Sequence, residues 1–217
     1  MTSSLLKNKH ALITGTRGLA LSIAHALAKQ GSHITFLART RDRGDAAVSA
    51  IKQSSPSIYS NFVLGDVGQA STWQSLKLQP PEEGKAEKAK IDILVNAAGI
   101  SQQSALLSTS PEAIDEIIST NLTGTALACR WFLRNSNKAS THEDNGDVAG
   151  NFSPVIINLS SLLALQGGRG STVYAASKAG VLGLTRALVN EMGHKGIRVN
   201  AIVPGYIETD MTKGRVV

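Results

Sequence analysis

Residues 10–31 read HALITGTRGLALSIAHALAKQG, and this stretch decides the fold. His10-Ala11-Leu12-Ile13-Thr14 is an apolar run of strand length. Gly15-Thr16-Arg17-Gly18-Leu19-Ala20 supplies a glycine turn, and Leu21 to Gln30 predicts a helix that stops at Gly31. A strand, a glycine turn and a helix form the unit in which backbone N–H groups at the helix start receive a pyrophosphate. The expected class is α/β, a doubly wound parallel sheet with helices on both faces.

The chain on either side carries the same alternation. A second strand, His33 to Leu37, is followed by Ala38-Arg39-Thr40-Arg41, a helix from Asp42 to Gln53 and a third strand from Asn61 to Leu64. In dinucleotide folds an acidic residue after the second strand holds the ribose 2′-hydroxyl, whereas an arginine accommodates a 2′-phosphate. No Asp or Glu occupies 38–41, and Arg39 stands in that place with Arg17 of the glycine turn as a second partner. NADPH is therefore expected over NADH. Further strands are predicted at Ile91 to Val95, Val155 to Leu159 and Ile197 to Val203. A helix starts after Pro111 with Ser110 as its N-cap, and a last one runs to Met192.

Chemistry concentrates after the Val155 strand, in SSLLALQGGRGSTVYAASKAG, residues 160–180. Tyr174 and Lys178 are four apart, so on a helix they share a face. A tyrosine that gives a proton near neutrality needs its pKa lowered from about 10, and a neighbouring ammonium does this by favouring the phenolate. Ser161, at the carboxyl end of the strand, places a hydroxyl where it can hydrogen-bond a substrate carbonyl.

With these residues the chain resembles the short-chain dehydrogenase/reductase family, in which a Ser, a Tyr-x-x-x-Lys and an upstream Asn form the active site. The wording of 158–161 and 173–180 looks most like its 3-oxoacyl-(acyl-carrier-protein) reductases and carbonyl reductases. The resemblance implies a Rossmann-type sheet and four catalytic residues: Asn121, Ser161, Tyr174 and Lys178. Asn121 would interrupt a helix and hold, through its carbonyl, a water that contacts the lysine. For the cofactor it implies Gly15, Arg17, Gly18 and Leu19 in the glycine turn, with Arg39 and the Asp66-Val67 pair beyond it. Asp66 would lie beside the adenine, although it equally suits a helix N-cap. Asn96-Ala97-Ala98-Gly99 would support the sheet and line the ribose. Tyr174 and Lys178 would contact the nicotinamide side, capped by Pro204, Gly205, Ile207 and Thr209. The glycine turn departs from the family wording Thr-Gly-x-x-x-Gly-x-Gly: it is one residue short between the glycines and ends in Ala20.

At 217 residues the chain is expected to be one domain, 1–217, with a polar surface insert at about 135–153. A second exposed connection is expected from Pro80 to Lys90. His142 with Glu143 and Asp144 reads as solvated, so no metal site is expected. One cysteine, Cys129, excludes an internal disulfide framework and reads as a core thiol. No apolar run reaches membrane-spanning length and the start lacks a signal-peptide pattern, so a soluble protein of the cytoplasm or mitochondrial matrix is expected. Asn121, Asn151 and Asn158 begin Asn-x-Ser/Thr sequons, two of them inside the segments that match the family's active site. The net charge of +6 is scattered rather than clustered with aromatics, which argues against nucleic acid and for a phosphate-rich cofactor and an acidic carrier protein.

The expected reaction is NADPH-dependent reduction of a ketone, with 3-oxoacyl thioesters favoured. Steroids, quinones or other small ketones are alternatives, as is a catalytically impaired dinucleotide-binding subunit. Against the family the chain looks C-terminally shortened, lacking the last strand and the substrate-covering helices. Homo- or hetero-oligomers are expected from the resemblance.

Overall fold

The structure is a computed structural model that describes residues 6–79, 90–136 and 152–209. The expected polar segments at 80–90 and 135–153, with His142, Glu143 and Asp144, lie almost wholly outside these residues. Six parallel strands form one sheet: β1 His10–Thr14, β2 His33–Ala38, β3 Ser60–Leu64, β4 Ile93–Asn96, β5 Val155–Leu159 and β6 Arg198–Ile202. Their order is β3-β2-β1-β4-β5-β6, so the chain winds outward from β1 in one direction and from β4 in the other. The crevice beyond the carboxyl ends of β1 and β4 is the place where such a sheet binds ligands.

Alternation along the strands sorts side chains onto two buried faces. On one, Ala11, Ile13, Ile34, Phe36, Ile93 and Val95 pack beneath helices α1 (Leu19–Lys29) and α2 (Arg41–Ser54). Helix α1 meets the sheet through Ala20, Ala24 and Ala28, three small residues four apart that let its backbone come close. Helix α2 lays Gly44 against the Phe62 ring, and a Cβ at that position would run into the ring. On the other face Leu12, Leu94 and Ile156 pack with α3 (Ala70–Ser75), α5 (Gly124–Asn135) and α7 (Thr172–Met192).

Two elements begin two residues away from expectation, for local reasons. Helix α1 begins at Leu19 rather than Leu21, because the short turn leads into it through Gly18, whose φ of 55° suits glycine. Strand β4 begins at Ile93, and Ile91 contributes only a single bridge to Ser136. The predicted N-cap is present: the Ser110 hydroxyl accepts the Ala113 N–H at 3.2 Å and opens α4 (Pro111–Ile118). Helices α4 and α5 are joined by a π-helical turn, Ser119–Thr123, which contains Asn121. A four-residue helix, α6 (Leu163–Gln166), precedes α7. No helix among the described residues is long and apolar enough to cross a membrane.

Candidate active site

Adjacent strands place Thr14, Asn96 and Asn158 in register across the carboxyl end of the sheet. The Thr14 hydroxyl accepts the N–H groups of Ala97 and Ala98 at 3.0 and 3.1 Å, which bends the chain after β4 back over β1. Asn96 donates to Asn158 at 2.8 Å, and Asn158 donates to the Thr185 hydroxyl at 2.9 Å. This buried chain of amides ties β4 through β5 to α7. Cys129 joins it as an acceptor from Asn96 at 3.4 Å, and burial pushes its thiol up to about 12. It is inert as a nucleophile.

Beyond the strand ends lies a cleft of about 230 Å³. Gly15, Arg17, Gly18 and Leu19 line it from the glycine turn, and Ala97, Ala98 and Gly99 from the turn after β4. Arg39, Val67 and Thr209 complete the expected residues found there, joined by Arg43 and Thr120. The fit to a dinucleotide rests on the backbone floor. Gly15 has a φ of 89°, and a Cβ on it would sit 3.5 Å from the Ala98 backbone; one on Gly18 would meet the Thr209 side chain. Helix α1 starts at this floor with no side chain capping it and no acidic residue in its first turn, so its N–H groups and positive end suit a phosphate. No Asp or Glu lines the cleft among the described residues, whereas three arginines do.

Other expected cofactor residues stand differently. The Asp66 carboxylate accepts the Gly68 N–H at 2.8 Å; it caps this turn rather than α3, which starts after Gln69, while Val67 and Gly65 beside it line the cleft. Asn96 is committed to Asn158 behind the cleft wall. Pro204 accepts the Leu162 N–H at 2.8 Å, tying the segment after β6 to α6. Gly205 and Ile207 follow on the exposed side of that segment.

Two of the catalytic candidates, Asn121 and Lys178, meet at Gly99, at the edge of the cleft; none of the four lines the cleft itself. A Cβ on Gly99 would lie 3.2 Å from Asn121 Oδ1 and 3.4 Å from Lys178 Nζ. Asn121 is fully buried and clasps the turn after β4: its amide donates to Ile100 O at 2.9 Å, and its carbonyl accepts the Ile100 N–H at 2.9 Å. The same amide donates to the Ser177 hydroxyl at 3.0 Å, which donates to Tyr174 O at 2.7 Å. Lys178 donates from Nζ to Leu159 O at 2.8 Å, and Ser160 donates to Lys178 O at 2.8 Å. These two bonds lock the end of β5 to α7, and Ser161 follows directly, at the start of α6. Ser161 Oγ accepts the Leu163 N–H at 3.2 Å, which leaves its own proton to donate.

Lys178 Nζ lies 5.9 Å from the Tyr174 ring centroid. Burial pushes its ammonium down to about 8. At pH 7 it therefore still holds its proton, in a dry site where a cation acts strongly on a neighbouring phenol.

Arg43, Gln102 and Asn158 were missed as contributors by motif reading. Arg43 stands in the first turn of α2, just past the 38–41 stretch that follows β2. Arg41 turns the other way, 5.9 Å from the Phe62 ring centroid. Gln102 and Asn158 make contacts that no local spacing encodes.

A family model described as short chain dehydrogenase matches residues 9–216. The chain is 38% identical over 212 residues to a 3-oxoacyl-(acyl-carrier-protein) reductase of Chlamydia trachomatis, covering 97% of this chain and 79% of the relative. A dehydrogenase/reductase from Sinorhizobium meliloti 1021 matches the structure with a TM-score of 0.80 at 30% identity, over 97% of this chain and 77% of that one. A protein of Agrobacterium tumefaciens crystallised with bound NADP matches with a TM-score of 0.77 at 31% identity, over 98% and 77% of the two chains.

Proposed function

The chain belongs to the short chain dehydrogenase family, and from that premise we propose that it reduces the ketone of a 3-oxoacyl thioester to the alcohol, using NADPH. It is an oxidoreductase that uses a nicotinamide dinucleotide. The observation that carries the finer reading is the junction at Gly99, where a backbone-floored cleft meets a buried, protonated Lys178 one helical turn from Tyr174. The thioester class is supported by the Chlamydia relative, and the net charge of +6 suits an acidic acyl carrier protein as its bearer.

When bound, the dinucleotide supplies the hydride that reaches the carbonyl carbon. Ser161 donates its proton to the substrate carbonyl oxygen as a hydrogen bond and orients it. Tyr174 transfers the phenolic proton to that oxygen as it becomes an alkoxide, so a C–H and an O–H bond form as the carbonyl π bond breaks. Lys178 stabilises the phenolate that remains. Asn121 O accepts the Thr125 hydroxyl at 2.8 Å and keeps a second lone pair for a water leading from Lys178 to solvent.

NADPH preference is supported by Arg17, Arg39 and Arg43 at the cleft. Arg39 is held loosely, 3.8 Å from Glu116 in a half-exposed pair of a kind worth about 0–1 kcal/mol, so a phosphate dianion displaces the carboxylate at little cost. Two measurements test the proposal. Tyr174→Phe is expected to lower turnover of a 3-oxoacyl thioester by about 10³-fold while NADPH still binds, and retained turnover would remove the acid assignment. Nicotinamide fluorescence should report much tighter NADPH than NADH binding, with the difference reduced in Arg43→Ala; equal affinities would refute the phosphate reading.

A further inference from the structure

Gln102 belongs to none of the motifs above, yet it is 2% exposed in the turn that leaves Gly99. A buried primary amide needs partners for two N–H donors and for its carbonyl oxygen. Gln102 meets them on two sides. Nε2 donates to Ser104 O at 2.8 Å and to Thr109 Oγ1 at 3.1 Å. Oε1 accepts the backbone N–H of Val173 at 2.7 Å and of Tyr174 at 3.4 Å.

Those last two bonds sit at a vulnerable place. The first N–H groups of a helix have no partner within it, and a nearby side chain usually supplies one. At the start of α7 the N-cap residue, Ser171, makes no side-chain cap bond. Val173 is buried, so water is a poor substitute there. The acceptor comes instead from Gln102, 71 residues earlier, and the positive end of the helix strengthens its hold.

We propose that Gln102 is a positioning residue for the Tyr174 acid: its carbonyl keeps the first turn of α7 closed, which holds the phenol at its distance from Lys178. The lysine is fixed independently, by Leu159 O on its side chain and Ser160 Oγ on its carbonyl. Loosening the first turn therefore moves Tyr174 relative to Lys178 rather than moving both together. The proposal rests on the reading of Tyr174 as the proton donor.

The test is a pH titration of tyrosinate absorbance, taken as the difference between each chain and the same chain carrying Tyr174→Phe, so that Tyr59 and Tyr206 cancel. Gln102→Ala and Gln102→Met, which lose the acceptor, should raise the Tyr174 pKa by about one unit, as expected when a phenol moves away from a cation. Turnover at pH 7 should fall about tenfold in step with that shift, with the NADPH dissociation constant unchanged. Thr109→Val disturbs only the donor side of Gln102, leaves its acceptor oxygen on α7, and should stay near the original chain in both readouts. A lowered Tm with an unmoved phenol pKa would mean a structural role only and would overturn the proposal. If the acceptor-less variants fail to fold, hydrogen exchange in the unaltered chain decides: Val173 and Tyr174 amides must be protected like helix-interior ones, and fast exchange at both rejects it. The two readings separate cleanly. Retained turnover in Tyr174→Phe sinks the acid assignment, whereas an inactive Tyr174→Phe with an unshifted phenol in Gln102→Ala sinks only the positioning role.

Discussion

The two ends of the sheet each bury a base, and they treat it in opposite ways. At the carboxyl end Lys178 is 5% exposed, donates to Leu159 O and lies against the cleft. At the amino end His10 is 3% exposed at the start of β1. Its Nε2 is paired with the Thr35 hydroxyl at 2.8 Å, and Tyr59 stands edge-on to the ring at 6.4 Å. Nδ1 has no hydrogen-bond partner, and neither do the buried hydroxyls of Ser32, just before β2, and Ser60, at the start of β3. Burial pushes Lys178 down to about 8; burial, and then the charge of His33, push His10 down to about 4. At pH 7 the lysine keeps its proton and the histidine has lost it. Desolvation at one end holds a charge ready near neutrality, and at the other it removes a charge altogether. Of the two protonation states, only the first costs stability at neutral pH, and it is the one beside the cleft.

Removing the charge at the costly end gives the largest expected effect. Lys178→Met should lower turnover by about 10³-fold, within the range for loss of proton-transfer assistance. The same variant should be more stable at pH 7. A lysine pKa held near 8 instead of 10.5 corresponds to about 3 kcal/mol, offset by about 1 kcal/mol for the unpaired Leu159 carbonyl. The sign follows from the lowered pKa: the cost is full below about pH 8 and disappears as pH rises to about 10.5. Urea unfolding at pH 7 and pH 10 should therefore show the advantage shrinking, and a variant less stable than its parent at pH 7 would erase the contrast between the two ends.

The amino end should respond to acid instead. His10 binds its proton more weakly folded than unfolded, so its contribution is full above pH 6.5 and is lost as pH falls to about 4. The loss amounts to about 3 kcal/mol at the acid limit, by the same conversion. In His10→Leu the stability difference from the parent should change by that amount between pH 7 and pH 4; a constant difference would mean that the ring is more open to water than the structure shows.

Next in the series comes the amide chain behind the cleft. Asn158→Leu leaves the Asn96 amide with only the Cys129 sulfur and the Thr185 hydroxyl with only Val181 O, and should cost about 2 kcal/mol by denaturant midpoint. A neutral result would show that this row is filler rather than a tie between sheet and helix. The smallest effect belongs to Cys129, which should resist thiol reagents in the native chain and react only on unfolding.

The sequence exposes the cleft end far better than the histidine end, and the reason is physical. Strands buried on both faces announce themselves as apolar runs, so all six were legible to within about two residues. The Tyr174–Lys178 pair and the glycine turn work through local spacing on a helix and a loop, and local spacing is what a sequence displays. The Asn96–Asn158–Thr185 row, the Gln102 cap and the His10 pocket arise when distant segments meet, and each residue taken alone resembles an ordinary polar side chain. Arg43 falls between the cases. Its place depends on the rotation of α2, which starts at Arg41 rather than Asp42 and sends Arg41 to Phe62 instead of the cleft.

Both sequon asparagines at the heart of the fold, Asn121 and Asn158, are wholly enclosed, one clasping the turn after β4 and the other bridging β4 to α7. Glycans are attached to a chain while it enters the secretory route, before its sheet has closed. A sugar placed on either residue leaves no room for strand and helix to meet. Manufacture of this protein in a secreting host therefore calls for Thr123→Ala and Ser160→Ala to silence the two acceptor sites, with the second change also removing the bond to Lys178 O, or for a host that keeps the chain away from glycosylation.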